Sequence, residues 1–311
     1  MKRLLLFVGL LQITLIQYGQ ILADHTIVDR YDDIPAEWIA EVKKMMVWFA
    51  GESHAYGYRV GLAELETLNS TYDVTQIWGF PAYTSSALRV AAWPTEGIGE
   101  KDWYTWKAYA PESLPTSSTT FKNYIKDNYD AGKPISVMGF AWCWDGTAEN
   151  GPTATADPIL GVHWWGASDG GPDGNRPWGL DAYDKTVTGN SVSMDTYLAA
   201  TEDYISYVTT NNYPTTIVFT TGPVDSYTGE NGYQQYLKYQ KIRDYVAANS
   251  NRILFDYADI LCYDDDGTPT TTTWDGHIYP IITPTNLGSA DIGHIGAAGR
   301  LRLAKAQWWL L

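Results

Sequence analysis

Cysteine is nearly absent, with two thiols, Cys143 and Cys262, in 311 residues. That excludes a disulfide-stapled scaffold, and a structural zinc site would need histidine help. The two cysteines are compatible with one bridge or with two buried free thiols. Basic residues are also scarce, 21 Lys and Arg against 36 Asp and Glu, for a net charge of −15. Nucleic-acid partners demand basic patches, and an anionic membrane surface repels this balance, so both are excluded as partners. Charged residues are only 18% and hydrophobic residues 45%, enough apolar material for a sizeable core and too much for global disorder. No internal repeat is present, and no Gly-rich stretch matches a phosphate or dinucleotide fingerprint. Asp264-Asp265-Asp266-Gly267 lacks the spaced ligands of a calcium loop and reads as a solvated turn. No cofactor and no metal is therefore expected.

What the chain has in excess is Trp and Tyr, 14 and 23 against 7 Phe. Both pair a flat apolar body with a polar tip, which suits sugar-like or wet contacts as well as cores. At the N-terminus, Lys2 and Arg3 precede an apolar stretch from Leu4 to about Ile16, then Ile21-Leu22-Ala23 before Asp24. This is the layout of a secretory leader, 1–23, with a small residue at the cleavage point. Gln12, Gln17 and Gln20 leave the run short for a membrane span. The expectation is export to the periplasm or beyond, with no stable membrane insertion once the leader is removed.

The remainder, 24–311, alternates short apolar runs with helical spacing and has no clean linker, so it reads as one domain. Strands are expected at Met45–Ala50, Val74–Trp78, Ile135–Met138, Thr216–Thr220 and Ile253–Phe255. Helices are expected over about 57–69, Phe121–Asp130, Met194–Thr209, Tyr233–Ala248 and Ala297–Leu311. This rhythm means right-handed crossovers and a five-stranded parallel sheet between two helical layers, a three-layer αβα sandwich of the α/β class. Sites in such sheets form beyond the carboxyl ends of the strands. Two long insertions, near 81–120 and 146–190, carry Trp93, Trp103, Trp106, Trp164, Trp165 and Trp178 and read as ordered binding loops.

The first strong strand runs into Gly51-Glu52-Ser53-His54. A Ser at a sharp strand-to-helix turn stands above the sheet, at a helix N-terminus whose N–H groups and dipole favour an oxyanion. Taken alone, Ser53 reads more simply as an N-cap. Asp291-Ile292-Gly293-His294, just before the last helix, supplies a second piece. The i, i+3 spacing puts carboxylate and imidazole on one side, the carboxylate holding Nδ1–H and leaving Nε2 to take a hydroxyl proton. A capping Asp with an incidental His is the plain alternative. His25 and His277 show no partners in the sequence, and His163 reads as loop packing.

These blocks resemble the SGNH/GDSL hydrolase superfamily, with Glu52 where members commonly have Asp. The resemblance implies a flavodoxin-like fold, Ser53 as nucleophile, His294 as general base and Asp291 as its orienting acid. It implies an oxyanion hole from the nucleophile's own N–H, a Gly N–H after the second strand, where Gly79 stands, and an Asn after the third. Here the segment Gly139-Phe140-Ala141-Trp142-Cys143-Trp144 occupies that third place without an Asn. Loss of one such donor costs about 3–4 kcal/mol of transition-state stabilisation. Gly139, Trp142 and Trp144, with His54, are the residues expected to line the oxyanion and substrate region. The expected activity is that of a secreted serine ester hydrolase on a small-molecule or polysaccharide ester, with the Trp-rich loops pointing to an acylated carbohydrate. The alternatives are a non-catalytic carbohydrate-binding relative and a lipid-type esterase.

Overall fold

The computed structural model describes residues 20–51, 53–92, 121–141, 194–224, 226, 228–289 and 294–311. Its central sheet is built from β1 (Leu22–Ala23), β2 (Met46–Gly51), β3 (Val74–Trp78), β4 (Leu88–Ala92), β5 (Val137–Ala141), β6 (Thr216–Thr220) and β7 (Leu254–Phe255). The spatial order is β1-β7-β6-β5-β2-β4-β3, and every neighbouring pair is parallel. Parallel neighbours demand crossovers, and α1 (Ala36–Val42), α2 (Ser53–Leu68), α3 (Phe121–Asp130), α4 (Met194–Asn211) and α5 (Glu230–Ala247) lie between successive strands, while α6 (Tyr257–Cys262), α7 (Pro284–Leu287) and α8 (Ala297–Leu310) follow β7.

Side chains alternate across β2, and both faces are covered. The Trp48 ring meets Phe121 and Tyr124 of α3 at 5.3 and 5.5 Å, while Phe49 stacks on Tyr58 of α2 at 4.9 Å. Burial on both faces is why the run from Met46 to Phe49 is continuously apolar and not alternating. From β2 the chain first reaches the edge strand β3 and comes back to β4, then crosses to build β5 and β6 on the other side. The carboxyl end of β2 is thus the topological switch point, the place where a crevice opens in sheets of this kind.

The sheet has seven strands where five were expected, for two physical reasons. β4 was concealed inside the expected 81–120 insertion because Arg89 interrupts its apolar run. Arg89 is nevertheless only 2% exposed, its guanidinium donating to the Lys44 carbonyl at 2.8 Å and lying over the Tyr83 ring. β1 was concealed inside the expected leader. Leu254 N–H donates to the Ile21 carbonyl at 3.1 Å and Asp256 N–H to the Ala23 carbonyl at 2.8 Å, and Ala23 is wholly buried. Ala23, the small residue at the expected cleavage point, packs into the sheet edge.

A separate antiparallel hairpin, β8 (Thr271–Trp274) and β9 (His277–Pro280), turns at Asp275-Gly276. Both turn residues have positive φ, 46° and 79°, the geometry that Asp-Gly suits. Cys262 is a free, buried thiol, and burial raises its pKa; Cys143 lies outside the described residues. Among the described residues, no helix is long and apolar enough to cross a membrane.

A chain that begins at Asp24 is expected to be about 2–3 kcal/mol less stable than one that begins at Gln20, since it loses two sheet hydrogen bonds and the buried Ala23. Urea denaturation of the two proteins measures this.

Candidate functional site

α2 starts at Ser53, directly beyond the carboxyl end of the central strand β2. The first four N–H groups of a helix have no partner within it, and the dipole is positive there. The side chain of Ser53 lies outside the described part of the structure, as do Glu52, Asp291, Trp142 and Trp144. His54 and His294 are described, and the fold brings them together. Their rings stack with centroids 4.7 Å apart and an interplanar angle of 28°. Two residues 240 positions apart in the chain therefore meet at the switch point.

The meeting depends on how closely α8 approaches α2. Gly57 and Gly61 follow His54 at helical spacing and share its face. A Cβ on Gly61 would lie 2.1 Å from the Arg300 carbonyl oxygen, and one on Gly57 would lie 2.9 Å from Ile295 Cδ1. Backbone thus rests almost on backbone. Arg300 secures the contact: its Nε and Nη2 donate to the Glu64 carboxylate at 3.0 and 2.6 Å, and its Nη1 donates to the Ile295 carbonyl at 3.1 Å. One guanidinium, only 4% exposed, ties α2 to the turn that carries His294. That turn is sharp, with His294 itself at φ 60°.

The two histidines differ in environment. His54 is buried, and neither ring nitrogen has a hydrogen-bond partner among the described residues. Burial, then the charge of His294, holds its pKa well below the usual imidazole value. His54 is therefore neutral at pH 7. His294 is exposed to solvent.

The two glycines expected to serve the oxyanion region are placed elsewhere. Gly79 follows β3, which is the edge strand and not the neighbour of β2. Its N–H donates to the Ala92 carbonyl, and its own carbonyl accepts from Ala92 N–H, so its donor is committed to the sheet. Gly139 lies inside β5, in register with Phe49 and Val218. A Cβ there would lie 2.9 Å from both side chains, so glycine is needed for packing. Sequence reasoning placed it at a strand end because Gly commonly ends strands. It also missed Arg300 and Glu64, whose charge pairing joins two helices 236 positions apart and leaves no local signal.

No family model and no curated protein matches the chain. Among solved structures it is similar to a protein from Desulfitobacterium hafniense DCB-2 assigned to the lipolytic G-D-S-L family. The TM-score is 0.36 and the identity 9%, with 86% of this chain and 99% of that chain covered. The chemistry of the site rests on the residues described above.

Gly61→Ala is expected to destabilise the protein by about 2–3 kcal/mol, because the obstructing atom is backbone and only a shift of α8 relieves it; chemical denaturation checks it. The lowered pKa of His54 means that the unfolded chain binds more protons. Stability should be full above about pH 6.5 and fall as the pH drops below it, and His54→Leu should flatten that slope between pH 5 and 7 in the same assay.

Proposed function

We propose that the protein is an exported serine ester hydrolase acting on an acylated carbohydrate. The observation that carries the reading is the stacking of exposed His294 on the first turn of α2, whose first residue is Ser53. In this reading Ser53 Oγ attacks the ester carbonyl carbon while His294 takes its proton, with Asp291 orienting the imidazole. Electron density moves onto the carbonyl oxygen, which lies against the free N–H groups of α2. The carbon–oxygen bond to the alcohol then breaks, and the imidazolium returns the proton to the departing alkoxide. Water, deprotonated by His294, releases the acid and restores Ser53. Neutral His54 beneath His294 leaves the transient imidazolium without a like charge.

Exposed aromatic rings at the carboxyl edge of the sheet support a sugar substrate. Trp78 is the last residue of β3 at the carboxyl edge of the sheet and is 69% exposed, and Tyr83 in the following loop is 60% exposed. Amphipathic rings of this kind favour a polyhydroxylated partner over an acyl chain. Export is supported by Lys2, Arg3 and the apolar stretch behind them. The pairing of β1 with β7 supports a mature chain that keeps Gln20 to Ala23.

One observation favours a second reading, a carbohydrate-binding relative without turnover. The N–H of Gly79 is held by Ala92, and Gly139 is walled in by Phe49 and Val218. A hole that relies on the helix N-terminus would be short of a donor and slow by about 10²–10³-fold in kcat.

The deciding experiment is labelling with a serine-reactive phosphonate alongside turnover of a short-chain aryl acetate. Labelling at Ser53 is expected, with a loss of turnover of at least about 10³-fold in both Ser53→Ala and His294→Asn. Absence of both labelling and turnover, with glycan binding intact in Ser53→Ala, would establish the second reading. N-terminal sequencing of the exported protein is expected to give a first residue at or before Gln20.

A further inference from the structure

A second group of chemistry-bearing side chains lies at the other side of the sheet, beyond the carboxyl ends of β1 and β7. The register Ala23↔Phe255 sets those two ends side by side. Asp24 and His25 follow β1 immediately, and Asp259 lies in the first turn of α6, just after β7. His25 N–H donates to Asp259 Oδ2 at 2.9 Å, and His25 Nδ1 lies 2.5 Å from the same oxygen. The imidazole is clamped in place by a parallel stack on Tyr263, centroids 3.5 Å apart and planes within 4°. One ligand atom from each of Asp24, His25 and Asp259 falls within a sphere of mutual distances of 4.8 Å.

Charge makes the cluster a place for a cation. Asp24 and Asp259 line a cleft of about 470 Å³, together with Asp256 and Arg243. Arg243 grips Asp256 through Nε at 2.6 Å and Nη2 at 2.9 Å, and Thr221 donates to it at 2.8 Å, so that pair neutralises itself. Asp24 and Asp259 set two carboxylates around one imidazole, His25, which already lies 2.5 Å from Asp259 Oδ2. Asp24 is already oriented: its Oδ1 accepts from Thr26 N–H at 2.9 Å and from the Thr26 hydroxyl at 2.6 Å, the kind of outer contact that fixes a ligand carboxylate.

We propose that Asp24, His25 and Asp259 form a binding site for a divalent transition cation. One imidazole nitrogen with two carboxylates is a borderline donor set, matched to zinc or manganese and poor for calcium, which takes six to eight oxygens. Three protein ligands leave the remaining coordination positions to water on the cleft side. The ion takes the place of the proton shared between Nδ1 and Asp259 and staples the 3-10 helix His25–Asp33 to α6. The inference is independent of the esterase reading, since neither Ser53 nor His294 takes part. Sequence spacing conceals the site, because its ligands come from positions 24, 25 and 259.

The test uses the whole protein, dialysed against a chelator and titrated with zinc chloride by calorimetry and thermal unfolding. One equivalent should bind, and Tm should rise by roughly 5 °C at a hundredfold excess over Kd. Asp24→Asn still accepts the Thr26 N–H bond, so its metal-free Tm should match the parent while zinc affinity falls at least about tenfold and the Tm rise disappears. His25→Ala should lose binding as well, from a lower metal-free Tm. His294→Asn should retain it, which separates this site from the stacked histidines. Zinc binding that is absent in the parent, or equal in the parent and Asp24→Asn, would overturn the proposal, and calcium binding as tightly as zinc would overturn the assignment to a transition cation.

Discussion

The close approach of α8 to α2 is the contact on which the rest of the site depends. Gly57 and Gly61 remove the side chains that would otherwise hold the helices apart, and Arg300 locks the resulting contact by bridging Glu64 and the Ile295 carbonyl. Ile295 is buried against the Gly57 position, and His294 is the next residue, so the depth of that packing sets where the imidazole stands. A closed-packed interior transmits such displacements without absorbing them, which makes a helix–helix contact a determinant of the geometry at the sheet's edge.

His54 links that packing to chemistry. His54 is a buried imidazole whose ring nitrogens have no hydrogen-bond partner among the described residues, and it lies under an exposed partner ring. Its neutrality follows from burial, and it provides His294 with a flat, uncharged floor. The same helix turn begins with Ser53, so one short stretch of chain holds a serine, a helix N-terminus whose dipole favours an anion, and the ring on which His294 stacks.

Most of the sheet was readable from apolar runs, because strands buried on two faces carry continuous hydrophobic residues. Thr216–Thr220 stands where such a run places it, and Phe121–Asp130 where helical spacing places it. β4 escaped because a buried Arg89 finds its partners, the Lys44 carbonyl and Tyr83, only in the folded chain. β1 escaped because a two-residue edge strand has no pattern of its own. The hairpin β8–β9 went unread, because its four-residue strands carry no continuous apolar run. Of the candidate site, the blocks around Ser53 and His294 stood out by residue type, while Gly79 and Gly139 were misplaced because a glycine alone does not say whether it frees an N–H or yields room to a neighbour.

Residue order by itself determined the alternation of strand and helix, the acidic exterior, the leader-like start and the presence of a serine and a histidine at the two ends of one α/β pattern. These are properties of local periodicity and composition, which need no distant partner. Only the tertiary structure decided that β2 sits at the switch point, that His54 lies under His294, that Gly79 donates to Ala92, and that His25 meets Asp259. Each of those is a contact between segments remote along the chain, created when burying apolar faces forces particular helices and strands into register.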